Sequence, residues 1–257
     1  MSRQFVKRYA DDRARLRAEN NYRWLASLGT PVIVPELHAV TRYELCFEHV
    51  DGRHLRLGDL TMLAAHLGAV HQVAYARELW AARLGQPFRT NTGWVIPSFP
   101  DGRSEAVERE LRAGHAPGAA LTLAQARRLL TTARGPAAFY KDANPRNFLI
   151  TASGNVVTVD FDDLTLAPFG YDLAKLIVCL AMTCGPLPAE LIASALTAYN
   201  TASAPGRAPR DITWDELMSW AGIHDILTRR YAADGRYAYR WHQVRPESQP
   251  TGEPSWP

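Results

Sequence analysis

Two carboxylates and a carboxamide stand in order in Tyr140-Lys141-Asp142-Ala143-Asn144-Pro145-Arg146-Asn147 and the later Val159-Asp160-Phe161-Asp162-Asp163. These residue types at these intervals suit phosphoryl transfer. In that chemistry one aspartate orients an acceptor hydroxyl and takes its proton. An asparagine a few residues on and the aspartate of a following Asp-Phe pair hold magnesium against phosphate oxygens. The three roles fall on Asp142, Asn147 and Asp160. Mg²⁺ prefers hard oxygen ligands and takes only one or two from protein, so a single amide oxygen and a single carboxylate suffice.

The segments between these residues must bring them together. Phe148–Thr151 and Val156–Val159 are β-rich runs joined by the turn tetrad Ala152-Ser153-Gly154-Asn155. A hairpin there sets Asn147 and Asp160 side by side at its open end. Upstream, Gln4–Tyr9 reads as a strand. Asp11–Leu28 follows as a helix stopped by Gly29-Thr30-Pro31, with Leu16, Tyr22, Trp24, Leu25 and Leu28 on its buried face. Residues 32–34, 37–40 and 43–50 look like strands, with Asp51-Gly52 as a turn. Residues 60–84 carry Met62, Leu63, Leu67, Val70, Val73 and Leu79 at helical spacing. Residues 85–104 form a long Pro- and Gly-rich loop of the kind that often carries function. Helices are expected over 106–113, 121–134, 172–184, 189–199 and 214–231, and a Pro-rich disordered tail over 245–257.

The chain has 257 residues, with 47% hydrophobic and 21% charged, ordinary proportions for a soluble protein able to bury a core. No apolar run is long enough to span a bilayer, and residues 1–10 lack the apolar centre of a signal peptide, so a cytoplasmic location is the default. A net charge of +3 gives no argument for nucleic acid. Cys46, Cys179 and Cys184 have no metal-binding spacing and read as buried, reduced thiols. Arginine dominates the 29 basic residues; the lysines are Lys7, Lys141 and Lys175. The two kinds of cation differ in shape and hydration, so the choice can be chemical.

The blocks Asp142-x-x-Pro145-x-Asn147, Asp160-Phe161-Asp162 and Gly170-Tyr171-Asp172-Leu173-Ala174 resemble, in type and order, the aminoglycoside phosphotransferase family, small-molecule kinases with the protein-kinase-like fold. The resemblance implies an α+β, bilobal architecture: a truncated N-terminal β-sheet lobe over 1–50, and a mainly helical C-terminal lobe with the catalytic loop over 51–244. It further implies that Lys7 holds nucleotide phosphates, that Glu19 on the next helix pairs with Lys7, and that Glu48 and Val50 lie at a hinge that hydrogen-bonds adenine through backbone. Tyr140 and Asn144 stand where the family has histidines. The chain also begins at the lysine strand, with no glycine before Gly29 to form a phosphate-covering turn. That start is expected to leave the Lys7 strand as a sheet edge for a second polypeptide or a second copy to cover.

The resemblance therefore implies an ATP- and Mg²⁺-dependent phosphotransferase acting on a hydroxyl of a small molecule or peptide, including Ser or Thr of a biosynthetic precursor peptide. The alternative is an inactive pseudokinase that binds a peptide or supports a partner enzyme. Plainer readings stand beside each role. Asp142 and Asn147 alone would be ordinary turn residues, which the ordered downstream blocks outweigh. Lys7 and Glu19 read equally simply as surface charges. Asp162 is a second metal-facing carboxylate or a cap, and Lys141 meets a phosphate or braces the loop. Asp172 reads as a cap and brace. His66, His71 and His224 read as packed histidines, and Trp214, Trp220 and Tyr231 as core, with His224, Asp225 and Arg229 bordering the acceptor site.

Overall fold

The computed structural model describes residues 3–114, 120–204 and 211–246. β1 (Gln4–Arg8) pairs antiparallel with β3 (Glu44–Glu48), in register Lys7 to Leu45, and β2 (Leu37–Val40) flanks β3 on its other side. The order β1-β3-β2 leaves β1 as an edge. Residues 32–34 form no strand. Pro31 and Pro35 confine them to a short extended connection, and the Ile33 carbonyl accepts from the Thr158 amide at 2.8 Å.

α1 (Asp12–Ser27) starts where the Asp11 carboxylate caps the Ala14 amide at 2.7 Å. Ala18, Asn21, Tyr22 and Leu25 recur three or four apart and form its buried stripe. Leu16, expected inside, is 47% exposed, because two residues before Ala18 is nearly the opposite side of a helix. Tyr22, Phe47 of β3 and Phe161 meet edge-on or tilted, with centroids 5.1–5.6 Å apart, joining the helix, the sheet and the Asp160 loop. Each such ring is worth roughly 1.5–3 kcal/mol of burial.

The chain then crosses to the larger, helical part. Gly52 opens β4 (Gly52–His54) instead of closing a turn. A β-carbon there would sit 3.1 Å from that of Leu149, so glycine permits the close approach to β8 (Phe148–Thr151). β4, β8 and β9 (Val156–Thr158) form one antiparallel sheet, with Leu149 facing Val157. α2 (Leu60–Arg77) buries Leu63, Leu67 and Val70 but leaves Met62 39% exposed. It packs on α6 (Ala189–Ser203) so closely that a β-carbon on Gly68 would collide with the Tyr199 carbonyl.

The long loop is partly ordered by a small hairpin, β5 (Phe88–Arg89) and β6 (Val95–Ile96). α3 (Arg103–Arg112) and α4 (Leu123–Thr132) follow, the latter begun by a Thr122–Gln125 capping box. β7 (Ala137–Tyr140) and β10 (Thr165–Pro168) pair antiparallel and lead into α5 (Tyr171–Cys184). Tyr171 through Met182 are all buried, as befits a helix apolar on nearly every side. α7 (Trp214–Ala233) and α8 (Trp241–Val244) complete the helical layer against it. Trp214 and Trp220 are buried as expected, whereas Tyr231 borders a cavity. The expected tail falls, from residue 247, outside the described residues. No helix among the described residues is long and apolar enough to cross a membrane.

Candidate active site

The β8–β9 hairpin forms as the turn tetrad demands, with the Gly154 amide donating to the Thr151 carbonyl at 2.9 Å. At its open end the Val159 amide donates to the Asn147 carbonyl at 2.9 Å, so Asn147 and Asp160 flank one mouth. Among the described residues, Asp142 (φ 50°) and Asp160 (φ 67°) are the non-glycine residues with left-handed backbones. That conformation costs an L-residue energy, and aspartate tolerates it better than most because its short carboxylate bonds locally. Here it aims two carboxylates out of a turn.

Asp142 is held by a buried scaffold. Asp172, 2% exposed, accepts from the Lys141 amide and the Ala143 amide, both at 3.3 Å, clamping the backbone on either side of Asp142. His71 Nε2 lies 3.4 Å from the same carboxylate, and its Nδ1 is 2.8 Å from the Tyr199 hydroxyl. Asp172 thus braces the loop but does not cap its helix, where the N-cap position is Gly170. Asn147 Nδ2 donates to the Asp142 carbonyl at 2.8 Å, leaving its Oδ1 for another partner. The Tyr140 hydroxyl donates to Asp142 Oδ1 at 3.0 Å, and Lys175 Nζ stands 3.7 Å from the same oxygen. Buried Arg103 lies under the Tyr140 and Tyr171 rings, 5.0 Å from each centroid, and donates to the Phe99 carbonyl and the Thr165 hydroxyl. It fixes the ring that carries the hydroxyl.

Asp160 is held differently. Lys7 Nζ lies 2.5 Å from Asp160 and 2.8 Å from Asp162, so two carboxylates converge on one positive charge. Burial pushes the Asp160 carboxyl up, but Lys7 outweighs it and holds the group below its ordinary range. Lys7 does not reach Glu19. Glu19 is taken by Arg15 and Arg23, one helical turn to either side, which the i,i+4 spacing places nearer than any strand residue. Lys141 is buried, and its ammonium donates to the Val159 carbonyl at 2.5 Å, bracing the hairpin mouth. Burial pushes its pKa down to about 8.

Further along, the Glu48 amide donates to the Glu36 carbonyl at 2.8 Å and the Glu48 carboxylate accepts from the Glu36 amide at 3.1 Å. Val50 follows in the connection to β4, and its amide makes no backbone hydrogen bond among the described residues. The Val50 amide is therefore an open backbone donor in the connection between β3 and β4. The donor set fits a magnesium ion. Lys7 shows that Asp160 and Asp162 can share one cation, and Asn147 stands at the same hairpin mouth through the Val159 amide. Among the described residues no cluster of three or more His, Cys, Asp or Glu side chains could hold a metal.

A cavity of about 650 Å³ opens beside Asp142, with Tyr140, Lys175, His224 and Tyr231 among its walls. Asp225 and Arg229 pair with each other at 2.7 Å and border a separate, smaller cavity. His71 and His224 are packed histidines, as expected; His66 Nε2 is enclosed without a partner. The three cysteines are free thiols, but only Cys179 is buried; Cys184 is exposed.

Sequence reasoning missed Asn21. Its Nδ2 donates to the Phe161 carbonyl at 2.8 Å and its Oδ1 accepts from Trp94 Nε1 at 3.0 Å, tying α1 and the long loop to the Asp160 turn. An amide on the apolar stripe of a helix is the signal that could have found it. Tyr140, Arg103 and Lys175 were likewise not assigned a part, and only the contacts made by the fold reveal one.

No curated protein matches the chain significantly in sequence. Solved structures do match in fold. An aminoglycoside-3'-phosphotransferase of type VIII aligns with TM-score 0.55 at 20% identity, covering 87% of this chain and 84% of its own. The amicoumacin kinase hAmiN, in complex with AMP-PNP, Ca²⁺ and Ami, gives 0.59 at 14% identity, covering 90% and 75%. The choline kinase LicA from Streptococcus pneumoniae gives 0.57 at 12% identity, covering 94% and 82%. These establish the bilobal, protein-kinase-like fold. Residues 2–212 also match the sequence profile of the APH phosphotransferase enzyme family. With Asp142, Asn147 and Asp160 meeting at one hairpin mouth inside that fold, the chain belongs to the phosphotransferase enzyme family.

Proposed function

We propose that the chain is an ATP- and Mg²⁺-dependent kinase that phosphorylates a hydroxyl of a small molecule. The observation that carries this reading is the placement of Asp142 at the wall of the cavity and of Asn147 between it and the Asp160 turn. Asn147 and Asp160 would hold Mg²⁺, which when bound neutralises charge on the transferring phosphate. Lys7 lies where it can exchange Asp160 and Asp162 for nucleotide phosphates, and Val50 offers its amide to adenine. Glu48 fastens the hinge. Glu19 orients Lys7 only if it leaves its two arginines, so its part is the weaker one.

Asp142 accepts the proton of the acceptor hydroxyl as that oxygen bonds to the γ-phosphorus, the β–γ bridging bond breaks, and ADP leaves. The Asp142 carboxylate is already oriented by Tyr140, so positioning supplies most of the rate. The size of the cavity supports a small molecule, since drug-sized pockets fall in the same range. The edge strand β1 supports strand addition by a partner or a second copy, which size-exclusion chromatography would detect. The test of the whole reading is ADP release from Mg²⁺·ATP with hydroxylated acceptors, paired with thermal unfolding in Mg²⁺·AMP-PNP. A ligand bound only by the folded state must raise the midpoint. Absence of both a shift and turnover would leave the pseudokinase.

A further inference from the structure

The cavity beside Asp142 has a charge pattern of its own. Six cationic side chains, Arg56, Arg109, Arg146, Lys175, Arg230 and Arg236, line it against three carboxylates, Glu110, Asp142 and Asp163. The carboxylates are largely answered. Asp142 has Lys175 and the Tyr140 hydroxyl, and Arg109 Nε lies 3.8 Å from Glu110. Asp163 is pushed toward its neutral form by burial and by the neighbouring Asp142.

Four of the five arginines are not answered by a carboxylate: among the described residues, Arg56, Arg146, Arg230 and Arg236 make no ion pair with one. Arg230 and Arg236 instead gather on one ring, their guanidinium carbons 4.5 and 5.2 Å from the Tyr231 centroid. The Tyr231 ring, one aromatic surface that could receive an ammonium group by cation–π contact, is thus already taken by guanidinium. Arg146 belongs to the loop that follows Asp142, Arg230 lies in the last turn of α7, and Arg236 follows that helix, so the cations reach the cavity from different segments.

We infer that the acceptor alcohol carries an oxyanion, a carboxylate or a phosphate, which Arg230 and Arg236 hold while its hydroxyl faces Asp142. Planar guanidinium forks match both oxyanions in geometry, and an anionic ligand supplies the charge these side chains lack. An acceptor bearing amines or a quaternary ammonium meets like charge instead. This inference rests on the kinase reading for its orientation, but not for the binding it predicts.

The test uses four six-carbon polyols that differ in charge: glucose, glucosamine, gluconate and glucose 6-phosphate. Each is titrated calorimetrically into the full chain saturated with Mg²⁺·AMP-PNP, so that the nucleotide site is filled. The expected result is that at least one anion binds about tenfold or more tighter than glucose at low salt, and loses that margin at high salt. Gluconate ahead of glucose 6-phosphate identifies carboxylate as the recognised group, and the reverse identifies phosphate. The margin falls in R230Q/R236Q and is kept in R128Q, which removes a positive charge from the exposed face of α4. Equal binding of all four, tighter binding of glucosamine, or equal loss in R128Q and R230Q/R236Q would overturn the inference. ADP release with the same four compounds separates the two readings. Anion preference without ADP from any acceptor sinks the kinase and leaves the anion site; ADP formed fastest with glucosamine does the opposite.

Discussion

The loops bearing Asp142 and Asp160 both turn through a left-handed aspartate, yet opposite means hold them. Around Asp142 the partners are buried: Asp172, His71 and Arg103 are each under a tenth exposed. Around Asp160 the partner is one lysine from another sheet, in an ion pair whose side chains are 21% and 43% exposed. Buried, fully bonded networks are costly to open, while half-solvated ion pairs exchange partners at little cost. Under the proposed function, the difference gives rigidity to the acceptor side and adjustability to the side that would admit and release a charged nucleotide.

Substitutions test that contrast directly. Asp142→Ala should lower kcat by about 10³-fold or more while Mg²⁺·AMP-PNP still raises the unfolding temperature. Equal loss of nucleotide binding would place Asp142 on the other side of the site. Asp172→Ala leaves two buried amides without an acceptor and should destabilise the fold by about 3 kcal/mol, read by denaturant unfolding. A cost no larger than that of a surface variant would remove the brace from the account.

Lys7→Met should raise KM for ATP about tenfold yet cost under about 1 kcal/mol of stability, because its pair is partly solvated. It also changes the acid limb. Asp160 ionises below its ordinary range when folded, so its contribution is present above the unfolded value of 3.8 and is lost as pH falls through the folded one. Unfolding midpoints of Lys7→Met should therefore fall less steeply below pH 4 than those of the parent; parallel curves would deny the coupling. Smallest is Tyr140→Phe, expected to reduce kcat by roughly three- to tenfold by freeing the Asp142 carboxylate. A change in KM for ATP instead would assign the hydroxyl to the nucleotide.

The same contrast explains what was legible. Asp142, Asn147 and Asp160 could be read because a hairpin of fixed length separates them and its turn residues are explicit. α1 followed its apolar spacing, whereas the helix expected over 60–84 stops at Arg77 and gives way to a short turn at Leu79–Ala81. Lys7's partners could not be read, because they lie some 150 positions away and packing alone selects them. Glu19 misled, although Arg15-x-x-x-Glu19-x-x-x-Arg23 already announced a local ion triplet. Asp172 was foreseen as a brace, but its continuation through His71 to Tyr199 depends on α2 and α6 meeting.

The two left-handed aspartates set evolution a trade. Glycine adopts the same backbone without steric penalty, so Asp142→Gly or Asp160→Gly relieves about 1 kcal/mol of conformational strain while deleting the carboxylate. A lineage selected merely to persist as a scaffold would drift toward glycine at both positions. Carboxylates at both turns therefore carry a conformational cost that glycine would not.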